Sequence, residues 1–404
     1  MLPSVLGLPT SEAERIRCRK FDDLKRRQRE NNTRIEKIKV TIANAEGDED
    51  KPIRLLMNRY ISTPFDCAKH VHETRYRWSA VAQQSTGPAF EHRPISDQED
   101  TSRREESSDE SVRQKLSGYI GAGDTSRSRN PPKSNLLSMF EPLRRDCQLR
   151  FVQYHDKEPT AANAAFWRSC SFVTAALLRK CIKPQYSLDV LGSPGVSFDH
   201  GSFVCDVRLD ERLADWLPSE AELSIISRLM RAELSRINGP FEMLRLSWKD
   251  AADLVGDSKF EKAQLDEMKS SFAPERMPAD TDDWLAARPV IVYRVGGHVR
   301  LAPNRQPLIA HTSHIGRFQI AAIHHVWQTE KQQKANSETD DTKPEPDKPT
   351  TDNRVLLHRV QGVALPQSVR CSSYVWQLLV KQAAKLNTQP AIGISRDYAN
   401  SETD

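Results

Sequence analysis

Two stretches of this chain are too polar to pack, and they dictate how the remainder can fold. Gln83–Asn135 and Asn336–Asn353 are rich in Ser, Asp, Glu, Arg, Gly and Pro and carry few large apolar side chains. Such segments cannot bury enough surface to offset the entropy of ordering them, so both read as disordered. The first is an insertion within a folded unit, and the second belongs to a linker over 329–353. The 404 residues accommodate two or three domains of ordinary size around them.

The foldable pieces carry local signals. Thr10–Glu30 reads as a helix opened by a Ser11-x-x-Glu14 capping box, with Ile16, Phe21 and Leu24 as a thin apolar edge. Between Arg15 and Arg29 it holds eight basic residues (Arg15, Arg17, Arg19, Lys20, Lys25, Arg26, Arg27 and Arg29) against two acidic ones. That pattern suits a cationic helix lying on phosphate, and it suits a solvated surface helix equally. Ile38, Val40 and Ile42 alternate with polar residues, as a half-buried strand requires. Ile53–Met57 reads as a second strand. Thr63-Pro64 predicts a helix start, with Phe65, Ala68, Val71 and Tyr76 on its inner face. Cys147–Tyr154 is a strand with Leu149 and Phe151 on one side.

Downstream, Thr160–Lys183 repeats Phe166, Cys170, Val173 and Leu177 at helical spacing. Pro218–Ile237 is a second long helix, capped by Ser219 and Glu222 and stopped by Asn238-Gly239-Pro240. Strands are expected at Ser187–Leu191, Ser202–Val207, Phe241–Leu246, Val290–Val295, His298–Leu301 and Phe318–Trp327. Ser247–Val255 reads as a short capped helix. Past the linker come a strand, Val355–Val360, and a helix, Ser372–Leu386. The class is α+β, divided into a basic helix at 1–33, a first domain at 34–155 with its insertion at 83–135, a second domain at 156–328, the linker at 329–353, and a terminal strand, helix and tail at 354–404.

Composition narrows the function. With 59 basic and 55 acidic residues the net charge is +4, so the chain as a whole is no strongly cationic nucleic-acid binder. Its seven cysteines include no Cys-x-x-Cys pair, which argues against a disulfide framework and a zinc ribbon. No apolar run reaches the roughly 20 residues of a membrane span. No Walker-type loop or Gly-rich dinucleotide fingerprint is present. Arg15, Arg17, Arg19 and Lys20 suit a mitochondrial transit peptide while Glu12, Glu14, Asp22 and Asp23 do not, so the N-terminus alone does not establish import.

Asn58-Arg59-Tyr60-Ile61-Ser62-Thr63-Pro64, with the strands around it, resembles a TGS domain, the small β-grasp module of threonyl-tRNA synthetases, certain GTPases and SpoT-like proteins. Phe166 to about Val326 resembles the second additional domain of threonyl- and alanyl-tRNA synthetases, which hydrolyses mischarged tRNA. Phe166-Trp167-Arg168-Ser169-Cys170, Gly201-Ser202-Phe203-Val204-Cys205-Asp206-Val207, Gly239-Pro240-Phe241-Glu242 and Pro307-Leu308-Ile309-Ala310-His311-Thr312 carry that likeness. Their order, with Asp215-Trp216-Leu217-Pro218 and Gln361-Gly362-Val363-Ala364-Leu365-Pro366, is similar to a family of mitochondrial large-subunit ribosomal proteins built on this scaffold.

The synthetase editing domain uses His-x-x-x-His on its first helix and a Cys-Arg-Gly-Pro-His motif later. The resemblance places Arg168 and Phe172 at the first pair and Asn304 and Leu308 at the second. None of these supplies a base, nucleophile or metal ligand in that pocket. The aminoacylating core is missing as well. The resemblance therefore implies a non-enzymatic protein of the mitochondrial matrix, bound to ribosomal RNA and ribosomal proteins, without cofactor, metal or small-molecule substrate. A free-standing editing hydrolase and a tRNA-binding regulatory TGS protein are the alternatives. His70 and His72, near Cys67, read as surface or interface histidines rather than ligands, and His311 and His314 lack a neighbouring carboxylate or cysteine to complete a metal site. The cysteines read as buried or idle thiols, and the seven tryptophans as core anchors.

Overall fold

Alternation of Ile38, Val40 and Ile42 with lysine and threonine builds β1 (Lys37–Ile42), and the strands beside it complete the first sheet. The computed structural model describes residues 12–32, 34–42, 52–85, 135–183, 185–193, 195–272, 289–302, 306–329 and 354–390. β1 pairs antiparallel with β2 (Ile53–Asn58) and parallel with β5 (Cys147–Val152). β5 also pairs with β3 (Val81–Ser85), and β3 with β4 (Asn135–Leu137). The order is β2-β1-β5-β3-β4.

One face of this sheet buries Val40, Ile42, Leu149 and Phe151 with Cys67 and Ala68 of the covering helical segment. That segment is two short helices rather than the single one expected, α2 (Pro64–Lys69) and α3 (Glu73–Trp78). Thr63 and Asp66 cap α2 reciprocally. His72, extended at φ −166°, accepts the Thr74 N–H and starts α3 afresh, so the chain breaks where the imidazole offers a new cap. Phe65 and Tyr76 still meet edge-on, 5.7 Å apart, on the shared core. Strands β3 and β4 reach into the ends of the polar stretch at Gln83–Ser85 and Asn135. Residues 86–134, the linker residues 330–353, Ser11 and Asn304 lie outside the described residues.

The second layer system is organised by α4 (Thr160–Cys181), apolar over most of its circumference and correspondingly buried. It lies against a sheet ordered β11-β12-β7-β6. The strands are β6 (Leu188–Gly192), β7 (Phe203–Leu209), β11 (Ile315–Thr329) and β12 (Arg354–Pro366). Both β11 and β12 run well past their expected limits because they pair with each other from Ile315↔Pro366 to Thr329↔Arg354. Phe203 and Phe318 stack at 5.4 Å over Gly362, where a Cβ would strike the Phe203 ring. Helix α5 (Glu220–Ile237) carries the expected capping box, ends at left-handed Asn238, and exchanges hydrogen bonds between Ser227 Oγ and the backbone of Ile320.

A third sheet, β10-β9-β8, is formed by β8 (Glu242–Leu246), β9 (Val290–Val295) and β10 (His298–Leu301). Three helices share its core: α1 (Glu12–Glu30), α6 (Trp248–Leu254) and α7 (Lys259–Phe272), the last not anticipated from sequence. The C-terminal helix α8 (Ser373–Ala383) packs through Leu379 and Ala383 on Val363 and Leu365 of β12. No described helix is long and apolar enough to cross a membrane.

Candidate functional site

Of the residues that the sequence resemblance assigns to a synthetase-like pocket, Arg168, Phe172 and Leu308 lie near one another around Tyr293 and Pro307. α4 presents Arg168 and Phe172 one turn apart, toward the segment before His311. Arg168 donates from Nε and Nη2 to the Pro307 carbonyl at 3.2 and 3.0 Å. No acid pairs with it among the described residues, and burial pushes its guanidinium down to about 10. Phe172 packs edge-on between Phe241 and Tyr293, at 6.2 and 6.3 Å. Leu308 is buried, its N–H donating to the Tyr293 hydroxyl at 3.3 Å. One residue on, Ile309 N–H donates to Ser169 Oγ at 2.9 Å, and that hydroxyl donates to the Ala165 carbonyl. Every polar group described here is thereby turned toward main chain. Trp167, beside Arg168, is a core residue against Phe198.

The cationic helix is docked on the body rather than free. Phe21 is fully buried in the third sheet's core, with Cys18 and Leu24 packed beside it and the Arg294 guanidinium 4.5 Å above its ring. Arg17 pairs with Asp257 at 2.7 Å and with Glu261. Lys20 pairs with Asp253 at 3.0 Å, and Lys25 with Glu242, which also takes Arg294. Burial works to raise the Glu242 carboxyl, but the hydrogen bonds from Lys25 and Arg294 outweigh it and hold it below its usual range. Arg15 and Arg19 pair with Glu12, and Arg26 with Asp23, along the helix surface. Among the described residues Arg27 and Arg29 have no acidic partner.

Two interior constellations were missed from sequence. Arg359 of β12, wholly buried, forms a bidentate pair with Asp206 of β7, both bonds at 2.8 Å. Its remaining nitrogen donates to the carbonyls of Asn387 and Gln389, tying the segment after α8 to the sheet. Gln361 donates to the carbonyls of Ala383 and Lys385, and His324 lies 2.9 Å from that of Ala384. The open end of α8 is thus capped by side chains of the sheet. The available signal was an arginine set between the apolar runs Val355–Leu357 and Val363–Leu365 of one strand. The second constellation is His314. Its Nδ1 lies 3.1 Å from the Tyr154 hydroxyl and its Nε2 2.9 Å from the Arg77 carbonyl, joining the two halves of the molecule. Among the described residues no group of three or more His, Cys, Asp or Glu side chains could hold a metal.

The described molecule is an α+β protein of three sheets whose charged and polar candidates are engaged mainly with its own layers. No family model matches the chain. Among curated proteins it is similar to the large ribosomal subunit protein mL39 of Drosophila melanogaster, 26% identical over 365 residues, across 90% of this chain and 82% of that protein. The ribosomal-protein resemblance read from the sequence is met by this relative, and it runs through nearly the whole chain rather than one module.

Proposed function

We propose that this chain is a structural component of the large subunit of the mitochondrial ribosome, holding ribosomal RNA and neighbouring proteins without catalysing a reaction. The observation that carries this reading is the similarity to mL39 along 90% of the chain. The finer architecture belongs to the same proposal. A sheet ordered β2-β1-β5-β3-β4, with β1 parallel to β5 at its centre and helices between β2 and β3, supports a β-grasp module of the TGS kind. The segment from α4 to β11 is assigned to a synthetase editing scaffold that has lost its chemistry. The packing of Arg168, Phe172 and Leu308 against Pro307, Phe241 and Tyr293 supports that assignment, since a guanidinium, a phenyl ring and an isobutyl group move no proton. Of the α1 basic set, Arg27 and Arg29 are assigned to contact with phosphate, and Arg17, Lys20 and Lys25 to holding the helix on the third sheet.

Gradient fractionation of mitochondrial lysate tests the reading. The chain is expected to sediment with the large ribosomal subunit and to leave it when the subunit is unfolded by magnesium chelation. A chain that stays at the top of the gradient would overturn the assignment. Purified protein is expected to leave serine-charged threonine tRNA intact.

A further inference from the structure

On the solvent side of the first sheet, positive charge stands uncompensated beside an exposed aromatic ring. β1 buries Ile38, Val40 and Ile42 and turns Lys37 and Lys39 outward. Lys39 lies across from Leu56 of β2, which is 62% exposed. The turn that carries Arg144 and Arg145 is fastened to this corner at three points. The Asp146 carboxylate accepts the Lys39 N–H at 2.9 Å, Arg59 Nε donates to the Arg144 carbonyl at 2.7 Å, and Tyr60 N–H donates to the Leu143 carbonyl at 2.7 Å. Three acids lie here: Asp146, whose carboxylate accepts the Lys39 main-chain N–H, Glu36 with Arg59 at 2.7 Å, and Glu141, near Arg144 and paired with Arg245. Lys37, Lys39, Arg144 and Arg145 have no ion-pair partner among the described residues. Burial first, and then the neighbouring Arg245, push the Arg144 guanidinium down, and Glu141 works against them.

Tyr60 stands at the centre of this corner in the left-handed region, φ 61°, a conformation that costs a bulky residue about 1 kcal/mol or more. Arg59 holds it there, its guanidinium 4.8 Å from the ring centroid and its Nη2 donating to the phenol oxygen at 3.1 Å. The ring is a fixed, part-exposed plane. Of nine exposed large apolar residues described, four (Ile35, Leu56, Tyr60 and Ile61) belong to this corner. On α1, by contrast, six of the eight cations are paired with acids.

We infer that, in addition to Arg27 and Arg29, this corner of the first sheet is an RNA-facing surface of the protein, where Lys37, Lys39, Arg144 and Arg145 take the phosphates of an unpaired RNA segment and Tyr60 receives a base. The inference rests on the ribosomal reading for the source of the RNA. Four cations without an ion-pair partner fit a polyanion, and a rigid aromatic plane among them fits a splayed base.

The test uses the full chain and a fluorescein-labelled oligouridylate, with anisotropy followed over a series of potassium chloride concentrations. One variant replaces Lys37, Lys39 and Arg145 with Ala. A control of equal charge loss replaces Lys249, Lys262 and Lys269, which are exposed on α6 and α7. A third variant is Tyr60→Asn, since asparagine tolerates the left-handed backbone. Circular dichroism confirms that each is folded. The sheet triple is expected to bind roughly tenfold more weakly at physiological salt and to lower the slope of log affinity against log salt by about two. The control should bind as the wild type does. Tyr60→Asn should weaken binding several-fold with the salt slope unchanged, because stacking releases no counterions. Equal losses in both triples, or none in the sheet triple, would overturn the inference. So would a sheet triple that keeps its RNA affinity but no longer sediments with the large subunit, which would assign the corner to a protein partner. A wild-type chain that never sediments with the subunit defeats the ribosomal reading instead, independently of the RNA titration.

Discussion

His314 joins the two halves of the molecule as a neutral ring, and its burial pushes its pKa down to about 4. In the unfolded chain the same group titrates near 6.5. Its contribution to stability is therefore complete above pH 6.5 and is lost as pH falls from there toward 4, because only the unfolded state takes up the proton. The loss is on the order of 3 kcal/mol across that window. Thermal unfolding followed from pH 7.5 to pH 4.5 should show this decline. His314→Gln, which keeps a donor and an acceptor without the titration, should give a flatter curve. The Arg359–Asp206 pair makes a different demand. Removing one partner leaves the other as an uncompensated buried charge, at a cost of about 3–5 kcal/mol. Arg359→Met should lower the denaturation midpoint sharply, and Asp206→Leu added to it should restore part of the loss. Additive losses would mean that the pair is not energetically coupled.

At the scale of elements, α1 separates two views of a basic helix. A helix that served only as a mobile arm for phosphate would tolerate the loss of Phe21. A helix that forms part of the third sheet's core would not. Phe21→Ala is expected to destabilise the protein by about 3–5 kcal/mol, read by chemical denaturation, while Arg27→Ala should change stability by a few tenths. The sequence carried Phe21 as one point on a thin apolar edge, and it could not say what that edge met. Legibility stopped at the same boundary elsewhere. Helices α4 and α5 and strand β1 were readable because caps and periodicity are local. The break between α2 and α3 was not, since a histidine acting as an N-cap has no reliable signature. The lengths of β11 and β12 were also hidden, because each strand is extended by pairing with the other, a contact that no local signal encodes. At the candidate pocket, it was legible from residue type that Arg168, Phe172 and Leu308 move no proton. That Pro307, Phe241 and Tyr293 close around them is a tertiary fact.

At the scale of the whole molecule, the chain's last strand decides what can be removed. Sequence order suggests that 156–328 could stand as a domain, with the residues beyond the linker as an appendage. The pairing places β12 between β11 and β7, at the centre of the second sheet. Without β12, the edges of both β11 and β7 lose their hydrogen-bonding partner, and Val360 and Ala364 leave the core cluster around α4. The Asp206 carboxylate, buried on β7, then faces no guanidinium. Each of these defects alone costs several kcal/mol, against the total of 5–15 kcal/mol typical of a domain. A chain ending at residue 328 is therefore expected to be insoluble or to lack a cooperative unfolding transition. Supplying residues 354–390 in trans should rescue it, because they hold β12, Arg359 and the helix that covers them. A truncated chain that unfolds cooperatively near the wild-type midpoint would mean that β12 is dispensable to the second sheet and that the ion pair it carries does not stabilise the fold.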